Sequence, residues 1–160
     1  RRPDAGYGRR MSRADQFAPL EPELQARWDR FGHWERTYYP TLLGLVVEEV
    51  RHGYSRMRLP HRPELEQPMG IVHGGAIASL IDSVVVPAVG SAYGPEQGYT
   101  TVDMHVQYLS ALVAEDAVAE GWVVRRGRTT VFCDAEVVGA TSGKVIARGM
   151  LTYQVVAPRQ

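Results

Sequence analysis

Gln67-Pro68-Met69-Gly70-Ile71-Val72-His73-Gly74-Gly75-Ala76-Ile77-Ala78-Ser79-Leu80-Ile81-Asp82 is the stretch that decides the fold of this chain. Residues 64–75 read as a loop that runs into the Gly74-Gly75 pair. From about Gly75 to Tyr93 alanine, leucine, isoleucine and valine dominate, and Gly94-Pro95 stops the run, so the segment is read as a helix. That helix is apolar nearly all round, and such a helix has to be covered on most sides. A curved antiparallel sheet wrapped around it is the simple cover, which makes the expected class α+β.

Strand-like segments lie on both sides of the helix. Upstream, Thr41 to Glu49 is rich in leucine and valine, His52-Gly53 supplies a turn, and Tyr54 to Leu59 alternates. Downstream, four strands are expected over Tyr99 to Leu109, Asp116 to Arg125, Thr129 to Val138 and Lys144 to Val156. The short turns between them, at Gly127 and Ser142-Gly143, imply an antiparallel meander. Further upstream, Leu24, Trp28 and Phe31 recur at helical spacing over Glu21 to Trp34, with Pro22 in the first turn. Residues 1–20 read as a flexible arm before one domain over 21–160. Within that arm, residues 1–10 are basic without an apolar core, so no signal peptide is read there and Met11 is compatible with a start.

Composition narrows the function classes. The chain is 44% hydrophobic and 22% charged, and its 18 basic residues balance its 18 acidic ones. There is no overall charge to draw nucleic acid or an anionic membrane surface. The longest apolar stretch, Ala76 to Val89, is broken by Ser79, Asp82, Ser83 and Pro87. It is read as too short and too polar to span a bilayer. Cys133 is the one cysteine, which rules out an internal disulfide and a multi-cysteine metal site and suits a reducing cytoplasm. It alternates with Val131 and Ala135, which marks a core thiol rather than a nucleophile.

Two features of the opening stretch carry chemistry. A glycine pair at a helix start lets a ligand approach the backbone, and the first N–H groups there lack intrahelical partners. This is either a plain glycine-rich helix start or a site for an anion or a developing oxyanion. Asp82 sits in an otherwise apolar run, where an unpaired carboxylate is costly. It is either a satisfied buried or interfacial Asp, or a general base or nucleophile. Residue 82 lies eight positions after Gly74, about 12 Å along a helix. If both groups are catalytic, they converge on one substrate only when two copies of the chain meet.

Other candidates are weaker. His105 is expected to project with Thr101, Asp103 and Gln107 on the polar side of its strand, and Val102, Met104, Val106 and Tyr108 on the other. Two residues spaced two apart on one strand rarely suffice as metal ligands, so no metal site is expected. Arg125, Arg126 and Arg128 cluster at a turn that is either a solvated hairpin tip or a phosphate contact. Trp28, Trp34, Tyr38 and Tyr39 read as packing.

The stretch resembles the hotdog-fold acyl-CoA thioesterases, in particular the phenylacetyl-CoA thioesterase-like branch. That branch carries Asn-Pro-x-Gly-x-x-His-Gly-Gly with an acidic residue nine positions after the His, the spacing of His73 and Asp82. The similarity continues through Thr100-Thr101-Val102-Asp103-Met104, Tyr108-Leu109-Ser110, Arg126-Gly127-Arg128-Thr129 and Gly143-Lys144-Val145-Ile146-Ala147, over roughly residues 41–155. It implies a hotdog fold, an acyl-CoA substrate and a homodimer, with a dimer of dimers beyond that. No cofactor is implied, since CoA is part of the substrate. By the resemblance, the Gly74 N–H polarises the thioester carbonyl and Asp82 of the partner subunit activates water or attacks. Thr101 orients that water, and Gly75 and Arg126 to Thr129 lie near the substrate and its nucleotide. His73 organises the loop, with acid–base work left open because imidazole titrates near neutrality. Gln67 departs from the usual Asn; it keeps the amide and adds a methylene. Two other readings stand beside hydrolysis: a non-catalytic acyl-CoA-binding module, and an enoyl-CoA hydratase or dehydratase.

Overall fold

The computed structural model describes residues 12–94 and 97–156. A six-stranded antiparallel sheet wraps around one long helix. Helix α3, Gly74–Ala92, is the helix around which the rest is built. The strands are β1 Val46–Arg51, β2 Tyr54–Leu59, β5 Gly98–Tyr108, β6 Ala117–Arg126, β7 Thr130–Gly139 and β8 Val145–Val156, in the spatial order β1-β2-β6-β7-β8-β5. The α+β class expected from the apolar helix is therefore the one observed.

The core is the interface between α3 and the inner sheet face. Leu80, Ile81, Val84, Val85 and Val89 of the helix have no exposed surface, and they meet Met57, Leu59, Val131, Val137 and Leu151 of the strands. Burying a side chain of this size contributes about 1.5–3 kcal/mol. By length and composition α3 is apolar enough to cross a membrane, contrary to the reading of the stretch as too short and polar. Burial decides the matter: 67% of its apolar 18-residue window lies inside the protein, so its apolarity serves the core.

Several local expectations are corrected. The N-terminal helix is shorter than Glu21 to Trp34: α1 covers Pro22–Trp28. The strand expected from Thr41 begins only at Val46, because Tyr39–Leu43 forms a short helix, α2, with Pro40 in its first turn and Gly44 closing it at φ 74°. The loop over 64–75 contains a two-stranded ladder of β3 Glu66–Gln67 with β4 Ile71–Val72. Of the expected arm, residues 1–11 lie outside the described residues. Residues 12–20 lie against the sheet: Ala14 is buried, Phe17 stacks on Tyr54 at 5.2 Å, and Pro19 bridges to Arg51.

Strand β5 departs from simple alternation. The pairing with β8 runs Thr101 to Tyr153 and then Asp103 to Thr152, so Val102 is an extra residue on β5. The bulge puts Thr101 on the helix side together with Met104 and Val106, and leaves Asp103, His105 and Gln107 on the other face. The expected row of Thr101 with Asp103, His105 and Gln107 is broken at this point.

Candidate active site

His73 is the N-cap of α3, in extended conformation with its Nδ1 accepting the Gly75 N–H at 2.8 Å. Its own N–H donates to the Leu65 carbonyl at 2.8 Å, which ties the helix start to the loop before β3. With Gly75 and Ala76 both donating to His73, the Gly74 N–H is the first-turn donor that has no acceptor among the described residues. Tyr108 of β5 stands over it: its hydroxyl donates to the Gly74 carbonyl at 2.8 Å. A Cβ on residue 74 would come within 3.2 Å of that ring. The positive end of the helix dipole lies behind this N–H.

Gln67 lies at the end of β3, and Gly70 turns the chain at φ 72° back into β4 and on to His73. Its backbone carbonyl accepts the Gly70 N–H at 2.9 Å, while its side-chain amide has no hydrogen-bond partner among the described residues.

Asp82 is half-buried, and its side chain meets residues of β5 and β8 that point toward the helix. Its Oδ1 accepts two hydrogen bonds, from Thr101 Oγ1 at 2.8 Å and from the Tyr153 hydroxyl at 3.0 Å. The same tyrosine hydroxyl lies 2.9 Å from the Asp82 carbonyl. Burial, then the adjoining Asp82 charge, pushes the Tyr153 phenol well above its ordinary range, so it stays a proton donor to the carboxylate. The second carboxylate oxygen accepts nothing from the described residues. One oxygen is therefore held and the other is available.

Two residues of this arrangement were not among the sequence candidates. Tyr153 falls in the inward register of β8, where its aromatic ring reads simply as core. Tyr108 falls in the alternating apolar row of β5. Thr101 was named, and the bulge is what delivers it. Cys133 is 2% exposed, and burial pushes its thiol up to about 12, which leaves it un-ionised near neutrality.

Within one chain the named residues do not come together. Gly74 and Asp82 share one continuous helix and are about 12 Å apart along it. Gly75 is exposed at the first turn. The turn Arg126-Gly127-Arg128-Thr129 lies at the opposite end of α3, where the Tyr93 hydroxyl donates to the Gly127 carbonyl at 2.6 Å and Arg126 lies 4.4 Å over the Tyr93 ring. Thr129 accepts the Val155 N–H at 2.9 Å. From Gly74 this turn is the full length of the helix away, about 28 Å.

Comparison with known proteins gives a consistent answer. The family model of the thioesterase superfamily matches residues 69–146, from the β3–β4 turn to the start of β8. Acyl-coenzyme A thioesterase 13 of Mus musculus is 33% identical over 85 residues, 52% of this chain and 60% of that protein. The chain thus spans about 60% of the length of this curated relative. A protein of Halobacterium salinarum, provisionally named an esterase, is 35% identical over 103 residues, 61% of this chain and 68% of its own. Among solved structures, a thioesterase-superfamily protein superposes with a TM-score of 0.74 at 28% identity, over 84% of this chain and 99% of that one. The PaaI protein from the phenylacetic acid degradation operon of E. coli superposes with a TM-score of 0.74 at 18% identity, over 84% of this chain and 95% of that one, a likeness of fold. With the hotdog arrangement of helix and sheet, the His73-Gly74-Gly75 helix start and a relative of this identity and coverage, the chain belongs to the thioesterase superfamily.

Proposed function

We propose that this protein hydrolyses an acyl-CoA thioester to a carboxylic acid and free CoA, at a site completed by a second copy of the chain. The observation that carries the reading is the state of Asp82: a carboxylate with one oxygen fixed by two donors and the other left for substrate or water. A merely structural Asp would have no need of an oxygen left over. The unpartnered Gly74 N–H is the complementary half, an amide placed where an oxyanion would develop.

In the proposed reaction, Asp82 of one protomer takes a proton from water as the water oxygen attacks the thioester carbonyl. The negative charge that builds on the carbonyl oxygen is received by the Gly74 N–H of the other protomer. Collapse of the tetrahedral intermediate breaks the carbon–sulfur bond, and CoA leaves as a thiolate that solvent protonates. Direct attack by the carboxylate is the variant of the same arrangement, through an anhydride that water then cleaves. Thr101 positions Asp82, and the reading gives the Gln67 amide a part in holding the carbonyl or the water. Water, a carboxylate and an amide suffice for this chemistry, so the reading calls for no cofactor.

The sheet edge supports the two-chain arrangement. Strand β5 is at the edge and offers an unpaired ladder. Val102, Met104 and Tyr108 along it are 60%, 37% and 54% exposed. A second copy paired there would cover that edge, and a dimer of dimers is a further step of the same kind. The proposal also includes contact of the Arg126 to Thr129 turn with the CoA phosphates, a single domain over 21–160 and a cytoplasmic setting.

Measuring thiol release from a panel of acyl-CoAs tests the reading. Asp82→Asn, which keeps shape and removes the base, is expected to lower kcat by about a thousandfold. Turnover by neither form, with acyl-CoA still bound, would instead favour a non-catalytic binding module. Conversion of an enoyl-CoA to its hydrated product would favour the hydratase.

A further inference from the structure

Between Gly75 and Val86 the residues of α3 that are not buried are Gly75, Ala78, Ser79, Asp82 and Val86. At this spacing they share one stripe of the helix. Strand β5 walls one flank of the stripe, with Thr101 on Asp82 and Tyr108 on Gly74. Viewed down the axis, at about 100° per residue, Asp82 lies between Gly74 and Ser79, so Ser79 faces the other flank. There α2 is the wall: the Tyr39 hydroxyl lies 2.8 Å from Ser79 Oγ. The Ser79 proton goes to the Gly75 carbonyl at 2.8 Å, so Tyr39 is the donor of this pair. At its other end α2 is held by buried Leu43 and by Arg62, whose Nη2 donates to the Leu42 carbonyl at 2.7 Å. The Tyr39 ring is thus fixed in place, and it is still 57% exposed.

In the two-chain site proposed above, Gly74 of each protomer faces Asp82 of the other. The two helices then run antiparallel, and the two-fold axis crosses α3 midway between these residues, at Ala78. Strand β5 gives the same axis. Midway between Thr101, which meets Asp82, and Tyr108, which meets Gly74, is the step from Met104 to His105, within the exposed edge. Tyr39, on Ser79, therefore stands beside the axis, between the two sites.

The CoA arm and the acyl group leave a thioester in opposite directions. From Asp82 the helix runs away from the axis toward the Arg126 to Thr129 turn, which the hydrolase reading gives to the CoA phosphates. The acyl group then runs the other way, along α3 of the protomer that supplies Gly74, toward the axis. Ser79 lies five residues after Gly74, about 7.5 Å along the helix. An extended chain advances about 1.2 Å per bond, so about six bonds bring it to the Tyr39 ring.

We propose that Tyr39 is a specificity-determining residue, whose ring closes the inner end of the acyl site beside the two-fold axis and limits the substrate to short acyl groups, about six carbons in reach. The inference rests on the hydrolase reading with its two-chain site and names its substrate class. Tyr39 lies outside residues 69–146, which carry the superfamily match, so the limit is set from outside the shared segment.

The test measures kcat/KM on butanoyl-, hexanoyl-, octanoyl- and dodecanoyl-CoA. In wild type the value is expected to rise to hexanoyl and to fall by about tenfold or more at dodecanoyl. Tyr39→Ala opens the inner end and removes the fall, whereas Tyr39→Phe keeps the ring and the fall with it. Melting temperatures show that both variants fold. A wild type that turns over dodecanoyl-CoA as fast as hexanoyl-CoA overturns the proposal. So does a Tyr39→Ala loss of the same size at every chain length, since Tyr39 would then only brace α2 against Ser79. Failure of the hydrolase reading shows separately, as no thiol release from any of the four. Calorimetry with hexanoyl-CoA and dodecanoyl-CoA then still decides: tighter binding of hexanoyl-CoA, with the preference lost in Tyr39→Ala, sustains the limit, and dodecanoyl-CoA binding at least as tightly sinks it.

Discussion

Asp82 is where the residue scale matters most. A carboxylate in an apolar helix needs donors, and both that it finds come from strands, Thr101 from β5 and Tyr153 from β8. Because both reach the same oxygen, they fix the carboxylate's rotation and leave the other oxygen without a donor among the described residues. A hydrogen bond to a charged group is worth about 1.5–3 kcal/mol, so loss of either donor is felt. Thr101→Val keeps the branched shape and removes the hydroxyl. We expect kcat to fall by about ten- to a hundredfold with KM little changed, and Thr101→Ser to restore most of it. Steady-state kinetics on one acyl-CoA reads both. A loss in KM alone would mean that Thr101 touches the acyl group rather than orienting Asp82.

At the scale of elements, α3 sits close to the sheet because two strand residues have no side chain. A Cβ at Gly121 of β6 would lie 2.9 Å from Val85, and one at Gly149 of β8 would lie 2.5 Å from Ile81 Cγ2. Gly121→Val therefore forces the helix outward or the strand back, and overpacking of this kind costs about 1–3 kcal/mol. Denaturant unfolding is expected to show that loss, and unchanged stability would show that the helix has room to shift. The helix and the meander were legible in the sequence because apolar all-round and apolar alternating runs have only one way each to be buried. The bulge at Val102 was not: Thr101-Val102-Asp103-Met104 alternates without a break, and only pairing with Tyr153 and Thr152 reveals the extra residue. Tyr153 was hidden for a related reason, since the pattern marks it as inward without saying that its hydroxyl meets Asp82. The α2 helix is hard to read in the sequence because leucine-rich Thr41-Leu42-Leu43 suits a strand as well as a helix, and only Pro40 and Gly44 mark its bounds.

For the whole molecule, the decisive fact is rigidity. One continuous helix separates the Gly74 N–H from Asp82 by about 12 Å, and no rotation of side chains closes that gap. If hydrolysis uses both groups, each site borrows one from each chain, and a dimer with two-fold symmetry holds two such sites. Complementation follows from this geometry. Gly74→Pro removes the N–H at the first helical position, where the backbone suits proline: His73 at φ −62°, ψ 135° already has the extended conformation a following proline requires, and the Tyr108 ring, 3.2 Å from the new Cβ, has to give by a few tenths of an ångström. Gly74→Pro and Asp82→Asn dimers are each expected to be inactive. When the two chains are co-expressed and pair at random, half the dimers are mixed, and each mixed dimer has one intact site and one doubly damaged site. Activity should return to about one quarter of wild type. Were each site built from a single chain, every site in the mixture would carry a lesion and no activity would return.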